Sequence, residues 1–132
     1  MYLLDTNICI FAMKGTYPAV GQRLLSIEPD KIFVSSVTVG ELEYGAAKSR
    51  WSVRPREVMR FFLANYEILP FGENDAIHFG RFRAALARSG TPIGVYDVMI
   101  AAQGVARGLT VVTHNIGDFS RVPGLQWEDW TC

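Results

Sequence analysis

The chain has 132 residues, of which 49% are hydrophobic and 20% charged, and its 13 basic and 13 acidic side chains cancel. That length and apolar content fit one folded domain over residues 1–132 and exclude a disordered chain. No apolar run approaches the roughly 20 residues that span a bilayer, and zero net charge leaves nucleic-acid binding to local patches.

Met1 leads directly into the apolar YLL of a first strand, with no basic segment and no cleavage signal, so a cytoplasmic protein is expected. The run stops on Asp5. TNICIFAMK then reads as a helix closed by Gly15, and YPAVGQRLLSIE restarts helically at Pro18, a residue at home in a first turn. KIFVSS is a second strand. VTVGELEYGAAKS is a helix in which Thr38 and Glu41 match a capping box. PREVMRFFLANY sets Met59, Phe62, Leu63 and Tyr66 on one face, and EILPF is a third strand. ENDAIHFGRFRAALARSG is a helix stopped near Gly90. VYDVMIAAQGVARG is another, with Val98, Ala101, Ala102 and Val105 on one face and Gly108 as its stop. LTVVT, rich in β-branched residues, is a fourth strand, and LQWEDW supplies a fifth. Cys9 and Cys132 stand at opposite ends of the chain and form no disulfide framework or CxxC site, so free thiols in a reducing compartment are expected.

Short apolar strands alternating with amphipathic helices predict an α/β sandwich around a mostly parallel sheet. Ligands of such sheets bind beyond the carboxyl ends of the strands, where strand order reverses. Asp5 follows the first strand, Glu41 lies in the first turn after the second, and Asp118 follows the fourth. Asp97 joins that edge if its helix begins there. Singly, each acid has an ordinary role: a carboxylate at a helix start caps N–H groups and complements the dipole. Collectively they are costly. Two carboxylates ~5 Å apart repel by about 3 kcal/mol at an effective dielectric near 20. A converging set needs a cation, and hard oxygen donors select Mg²⁺ or Mn²⁺ rather than zinc. Such a centre suits hydrolysis of a phosphodiester.

LLDTN, SSVTVGELEYGA, GTPIGVYDVMIAAQ, VVTHNIGDFSRVPGL and the tail WEDW, in this order, resemble PIN-domain ribonucleases, most closely the VapC-type toxins of bacterial toxin–antitoxin pairs. The resemblance implies an α/β/α sandwich with a five-stranded sheet and a Mg²⁺-dependent endoribonuclease acting on RNA, with tRNA the foremost substrate class. It puts the family's acidic quartet on Asp5, Glu41, Asp97 and Asp118, with Asp5 and Asp97 at the usual metal-ligand positions. Thr6, Asn7, Thr113 and Asn115 fall where the family keeps small polar residues that orient the acids. A VapB-type antitoxin partner, hetero-oligomers with it and a toxin homodimer are also implied. Two positions depart from the family's habit: Val95 in GVYD, where Pro is common, and His114 in THN, where Asn is common. His114 is expected to be a surface variant.

Residues 48–60 concentrate Lys48, Arg50, Arg54, Arg56 and Arg60 against Glu57 alone, with Trp51 among them. Cations interleaved with an aromatic suit RNA backbone contact plus stacking, although a basic stretch is often merely solvated. Arg81, Arg83 and Arg88 offer a second surface. Glu43, on another helix face from Glu41, reads as solvated or salt-bridged. Glu128 and Asp129 read as surface charges, and His78 as a packed or exposed histidine. Competing functions find less support. A phosphatase with Asp5 as nucleophile wants a second Asp where Asn7 stands. A receiver-type signalling module wants a lysine after a late strand, and VVTHN has none. A binding module that lost its metal would not need four acids.

Overall fold

Five short strands are each preceded or followed by a helix that covers one side of them. The structure is a computed structural model and describes residues 1–50 and 53–132; Trp51 lies outside the described residues. The order is β1 (Tyr2–Leu4), α1 (Thr6–Lys14), α2 (Pro18–Ser26), a 3₁₀ turn (Pro29–Lys31), β2 (Ile32–Ser35), α3 (Ser36–Lys48) and α4 (Val53–Leu63). Then come β3 (Glu67–Leu69), α5 (Glu73–Arg88), α6 (Val95–Arg107), β4 (Thr110–Val112), α7 (Ile116–Phe119) and β5 (Trp127–Glu128).

The strands form one sheet in the order β3-β2-β1-β4-β5, and every pair is parallel. From β1 the chain steps outward through β2 to β3, then crosses back to place β4 on the other side of β1. Strand order therefore reverses between β1 and β4. Period-two alternation sends successive residues to opposite faces. Leu3 and Val111 enter a core with Val98, Ile100, Ala101 and Phe119 on one side. Leu4 and Val112 enter a second core with Ile8, Cys9, Val20, Val34 and Trp130 on the other. Both faces are covered, which is why the strands read as apolar runs rather than alternating ones.

The helices begin and end for readable reasons. Gly15 and Gly108 adopt φ of 69° and 67° and close α1 and α6, a conformation that costs an L side chain 1–2 kcal/mol or so. Pro18 occupies the first turn of α2. Met59 is buried in α4, while Phe62, Leu63 and Tyr66 pack against the second core. The capping box expected at Thr38 and Glu41 is corrected. Helix α3 starts earlier, with Ser35 as its N-cap, its hydroxyl accepting from the Val37 N–H at 3.1 Å. Thr38 lies inside the helix and is fully buried. The one-turn helix α7 and the 3₁₀ turn are too short to show periodicity.

Helix α6 is held at its far end. The Arg107 guanidinium donates to both oxygens of the buried Asp75 carboxylate, at 3.3 and 3.0 Å, and to the Pro70 carbonyl at 2.6 Å. The Asp75 carboxylate also accepts from the Gly72 N–H at 2.8 Å, capping α5. Among the described residues no helix is long and apolar enough to cross a membrane.

Candidate active site

Asp5 ends β1 and starts α1. Its backbone N–H donates to the Val112 carbonyl at 3.0 Å, locking the turn to β4. One carboxylate oxygen accepts from the Ile8 N–H at 2.9 Å, so Asp5 is the N-cap of α1. The side chain is almost wholly buried, at 2% exposure. Burial drives its pKa up to about 6, against the Thr113 hydroxyl and the Ile8 N–H, which favour the charged form; the Asp97 and Glu41 charges push it further up.

Asp97 lies in the first turn of α6. Because that helix runs back against β4, its start meets the segment that follows β4. Asn115 makes the connection: its amide donates to Asp97 at 3.4 Å and to Asp118 at 3.0 Å. Burial raises the Asp97 pKa, with the Glu41 and Asp118 charges adding to it and the Asn115 amide opposing. Thr113 is buried and accepts from the Asn115 N–H at 2.9 Å, which fixes the loop carrying that amide.

Glu41 approaches from α3. The Thr6 hydroxyl donates to it at 2.7 Å. Thr6 and Thr38 hydroxyl oxygens are 3.0 Å apart; since the one Thr6 proton goes to Glu41, the Thr38 hydroxyl is the donor in that contact. Thr38 is thus a member of the site that the sequence disguises as a helix cap. The signal is present in the spacing, because Thr38 and Glu41 are three residues apart and share a helix face. Asn7 is exposed on α1 and is not tied into this network.

Asp5, Glu41 and Asp97 thus feel one another's charge beyond the carboxyl ends of the strands, at the strand-order reversal, and Asp118 joins through Asp97 and Asn115 while also pairing with Arg121 at 3.5 Å. Two polar devices hold them in place: Thr38–Thr6–Glu41 on one side, and Thr113–Asn115 with Asp97 and Asp118 on the other. Among the described residues no three His, Cys, Asp or Glu side chains already form a group able to hold a metal ion. The donor set is nonetheless the one a hard divalent cation takes, and Mg²⁺ needs only one or two carboxylates directly, the rest acting through water. The raised carboxyl groups of Asp5 and Asp97 mark a place short of positive charge.

Residues near the quartet have other duties. His114 lies at the surface as expected, 46% exposed, but it is not idle there. Its ring packs at centroid distances of 6.1 Å from Phe11 and 5.4 Å from Tyr17. Its Nδ1 lies 2.9 Å from the Asp129 carboxylate, and the Thr131 hydroxyl is 3.1 Å away. Asp129, read as a surface charge, is only 12% exposed and ties the tail to the loop after β4. Glu128 likewise accepts from Arg23 and from the Trp130 indole, at 3.1 and 2.9 Å. His78 bonds the Asn74 carbonyl on its own helix. Cys9 is buried, and burial followed by the Asp5 charge pushes its thiol up, which leaves it unreactive; Cys132 is exposed.

The basic stretch is divided. Arg56 grips Glu43 with Nε at 3.1 Å and a terminal nitrogen at 2.7 Å, joining α4 to α3. The Lys48 ammonium sits 5.0 Å above the Tyr44 ring. Arg54 lines a groove with Met13, Val58 and Phe62. Arg50 has interactions of its own.

A family model described as PIN domain matches residues 2–125. The tRNA(fMet)-specific endonuclease VapC of Salmonella typhimurium is 43% identical over 129 residues, 98% of this chain and 97% of that protein. Ribonuclease VapC2 of Rickettsia felis is 34% identical over 98% of both. Among solved structures, DNA-bound VapBC from Salmonella typhimurium superposes with a TM-score of 0.92 at 43% identity, covering 98% of this chain and 97% of that one. VapBC-1 from nontypeable Haemophilus influenzae gives 0.90 at 32% identity over 99% and 98%. With the acids at a parallel-sheet switch point and likeness running nearly end to end, the chain belongs to the PIN-domain family, among its VapC members.

Proposed function

We propose that this chain is the toxin of a VapBC-type pair, an endoribonuclease that hydrolyses RNA phosphodiester bonds at the Asp5–Glu41–Asp97–Asp118 cluster. The observation that carries this reading is the approach of Asp97 and Glu41 to the buried Asp5, with the pKa values of Asp5 and Asp97 raised by burial and by neighbouring carboxylates. The 43% identical Salmonella relative, named for tRNA(fMet), supports tRNA as the substrate class. The VapBC complexes among the structural neighbours support a VapB-type antitoxin as partner. A toxin homodimer, hetero-oligomers with the antitoxin and a cytoplasmic location complete the proposal.

Asp5 and Asp97 are assigned to hold a Mg²⁺ ion, with Mn²⁺ as substitute, and Glu41 and Asp118 to complete the cluster directly or through water. The bound cation would offset charge on the phosphate and lower the pKa of the attacking water. The protein's share is orientation. The Thr6 hydroxyl fixes one Glu41 oxygen, and the Asn115 amide sets the spacing of Asp97 and Asp118. The Ile8 N–H and the Thr113 hydroxyl keep Asp5 pointed inward. A basic side chain from the antitoxin seated among these acids would make charge-assisted hydrogen bonds and silence the site.

The test is tRNA cleavage by purified toxin in Mg²⁺, in EDTA and with Asp97→Asn. We expect cleavage in Mg²⁺ alone and a fall of about 10²-fold or more in the variant, in the range of losing one group that stabilises a transition state, with an unchanged circular dichroism spectrum. Cleavage that survives EDTA, or near-normal cleavage by Asp97→Asn, would overturn the assignment.

A further inference from the structure

Helices α3 and α6 leave a pocket of about 470 Å³ lined by Val37, Gly40, Glu41, Tyr44, Tyr96 and Met99. This size lies within the roughly 300–1,000 Å³ of small-ligand sites. The pocket borders the acid cluster twice: Glu41 belongs to both, and Tyr96 is the chain neighbour of Asp97. Its two large aromatic residues are not core residues. Tyr44 is 66% exposed and Tyr96 is 55% exposed. Gly40 sits in the interior of α3, where glycine is disfavoured against alanine. A Cβ there would meet nothing within 4 Å, so packing inside the chain does not require the glycine. The Lys48 ammonium stands 5.0 Å over the Tyr44 ring, bringing a cation to the pocket's rim.

Exposed aromatic faces beside a phosphodiester-cleaving centre, with a cation alongside, match the chemistry of one nucleotide: a flat base and its phosphate. We propose that this pocket is a base-stacking subsite. Tyr44 and Tyr96 receive an unpaired nucleobase of the RNA strand next to the scissile phosphate, and Lys48 meets a neighbouring phosphate. The proposal rests on the ribonuclease reading above and deepens it. A base can enter only if it is free to leave its stack, so the site selects single-stranded loops over duplex RNA. Stacking accepts any base, so the pocket supplies structural rather than sequence selectivity. A second copy of the chain fits the pocket less well, because an ammonium over one aromatic wall suits a base with its phosphate better than an apolar dimer patch.

The test compares two oligomers of equal length and charge, an adenosine octaribonucleotide and its abasic ribose–phosphate counterpart. Binding is measured in EDTA, so nothing is cleaved. The wild-type toxin should prefer the base-bearing oligomer by about 5- to 150-fold per stacked base. The Tyr44→Leu, Tyr96→Leu double variant should lose the preference while its affinity for the abasic oligomer stays the same. The Tyr44→Phe, Tyr96→Phe variant keeps both rings and should retain the preference, which separates stacking from a folding defect. Preference that persists in the leucine variant, or is absent in the wild type, overturns the subsite. Loss of preference together with dissociation of a dimer in sedimentation velocity also overturns it and assigns the tyrosines to an interface between copies. Failure of the ribonuclease reading is distinct: the wild type would then not cleave tRNA in Mg²⁺ at all.

Discussion

Asp5 answers to two electrostatic demands that conflict. As the N-cap of α1 it belongs in its charged form, accepting from Ile8 and favoured by the helix dipole. As a buried neighbour of Asp97 and Glu41 it belongs in its neutral form, and burial prevails, with a pKa of about 6 against an ordinary 3.8. A folded-state pKa above the unfolded value means the charged carboxylate disfavours folding. In the metal-free protein the penalty is absent below about pH 4, grows between pH 4 and 6, and is complete above pH 6. Its ceiling at one pKa unit per 1.36 kcal/mol is about 3 kcal/mol. Asp5→Asn keeps an oxygen for the Ile8 N–H and removes the charge. Its thermal midpoint in EDTA should therefore exceed that of the wild type at pH 8, and the difference should vanish near pH 4. A variant less stable than the wild type at both pH values would mean that the cap, not the repulsion, dominates at this residue.

The helices after β2 show how an element can be legible while the duties of its side chains are not. Residues 48–60 read as cations presented to RNA, and α4 takes in residues 53–60 of that stretch. Arg56, however, is bound by Glu43 across the α3–α4 junction, a pairing between residues 13 positions apart that no periodicity announces. Lys48 and Arg54 are different, since neither is joined to a carboxylate among the described residues. If they meet RNA phosphates, removing either cation should flatten the salt dependence of RNA affinity by about 0.7 in the log–log slope. The Lys48→Ala, Arg54→Ala protein should therefore show a clearly shallower slope in a salt series. Arg56→Ala should leave the slope unchanged, because that guanidinium already has its anion. Equal slopes for the wild type and both variants would remove α4 from the RNA path and direct attention to Arg81, Arg83 and Arg88.

Across the whole molecule, what the sequence reveals follows from strand order, and what it conceals follows from partners distant in the chain. Asp5 directly follows β1 and reaches the sheet edge whatever the packing, so it is readable; Asp118 comes with the short α7 after β4, and Glu41, expected in the first turn of its helix, lies in the second turn of α3 because that helix begins at Ser36. Asp97 depends on the direction of α6, which the crossover to β4 settles. Thr38 is hidden because T-x-x-E satisfies a capping box and a side-chain relay equally well. The His114–Asp129 contact joins two segments 15 residues apart and has no local sign. The element that links these levels is α6. Asp97 stands at its start and Arg107 is anchored at its end, with Gly104 between them against β4. A Cβ on Gly104 would lie 2.6 Å from a methyl of Val111 and 3.5 Å from Leu125, and Val111 is wholly buried. Alanine at this position gains about 1 kcal/mol in helix propensity, but overpacking a close-packed core costs about 1–3 kcal/mol, so the clash should win. Helix α6 would then stand off β4 and take Asp97 with it, and misplacement of a reacting group by ~1 Å costs on the order of 10²-fold in rate. Gly104→Ala should thus lower both the thermal midpoint and kcat for RNA cleavage. Adding Val111→Ala removes the methyl that is struck, so the double variant should recover rate relative to Gly104→Ala, a coupling that independent sites do not show. Purely additive losses in midpoint and rate would mean that α6 does not set the position of Asp97 through this contact.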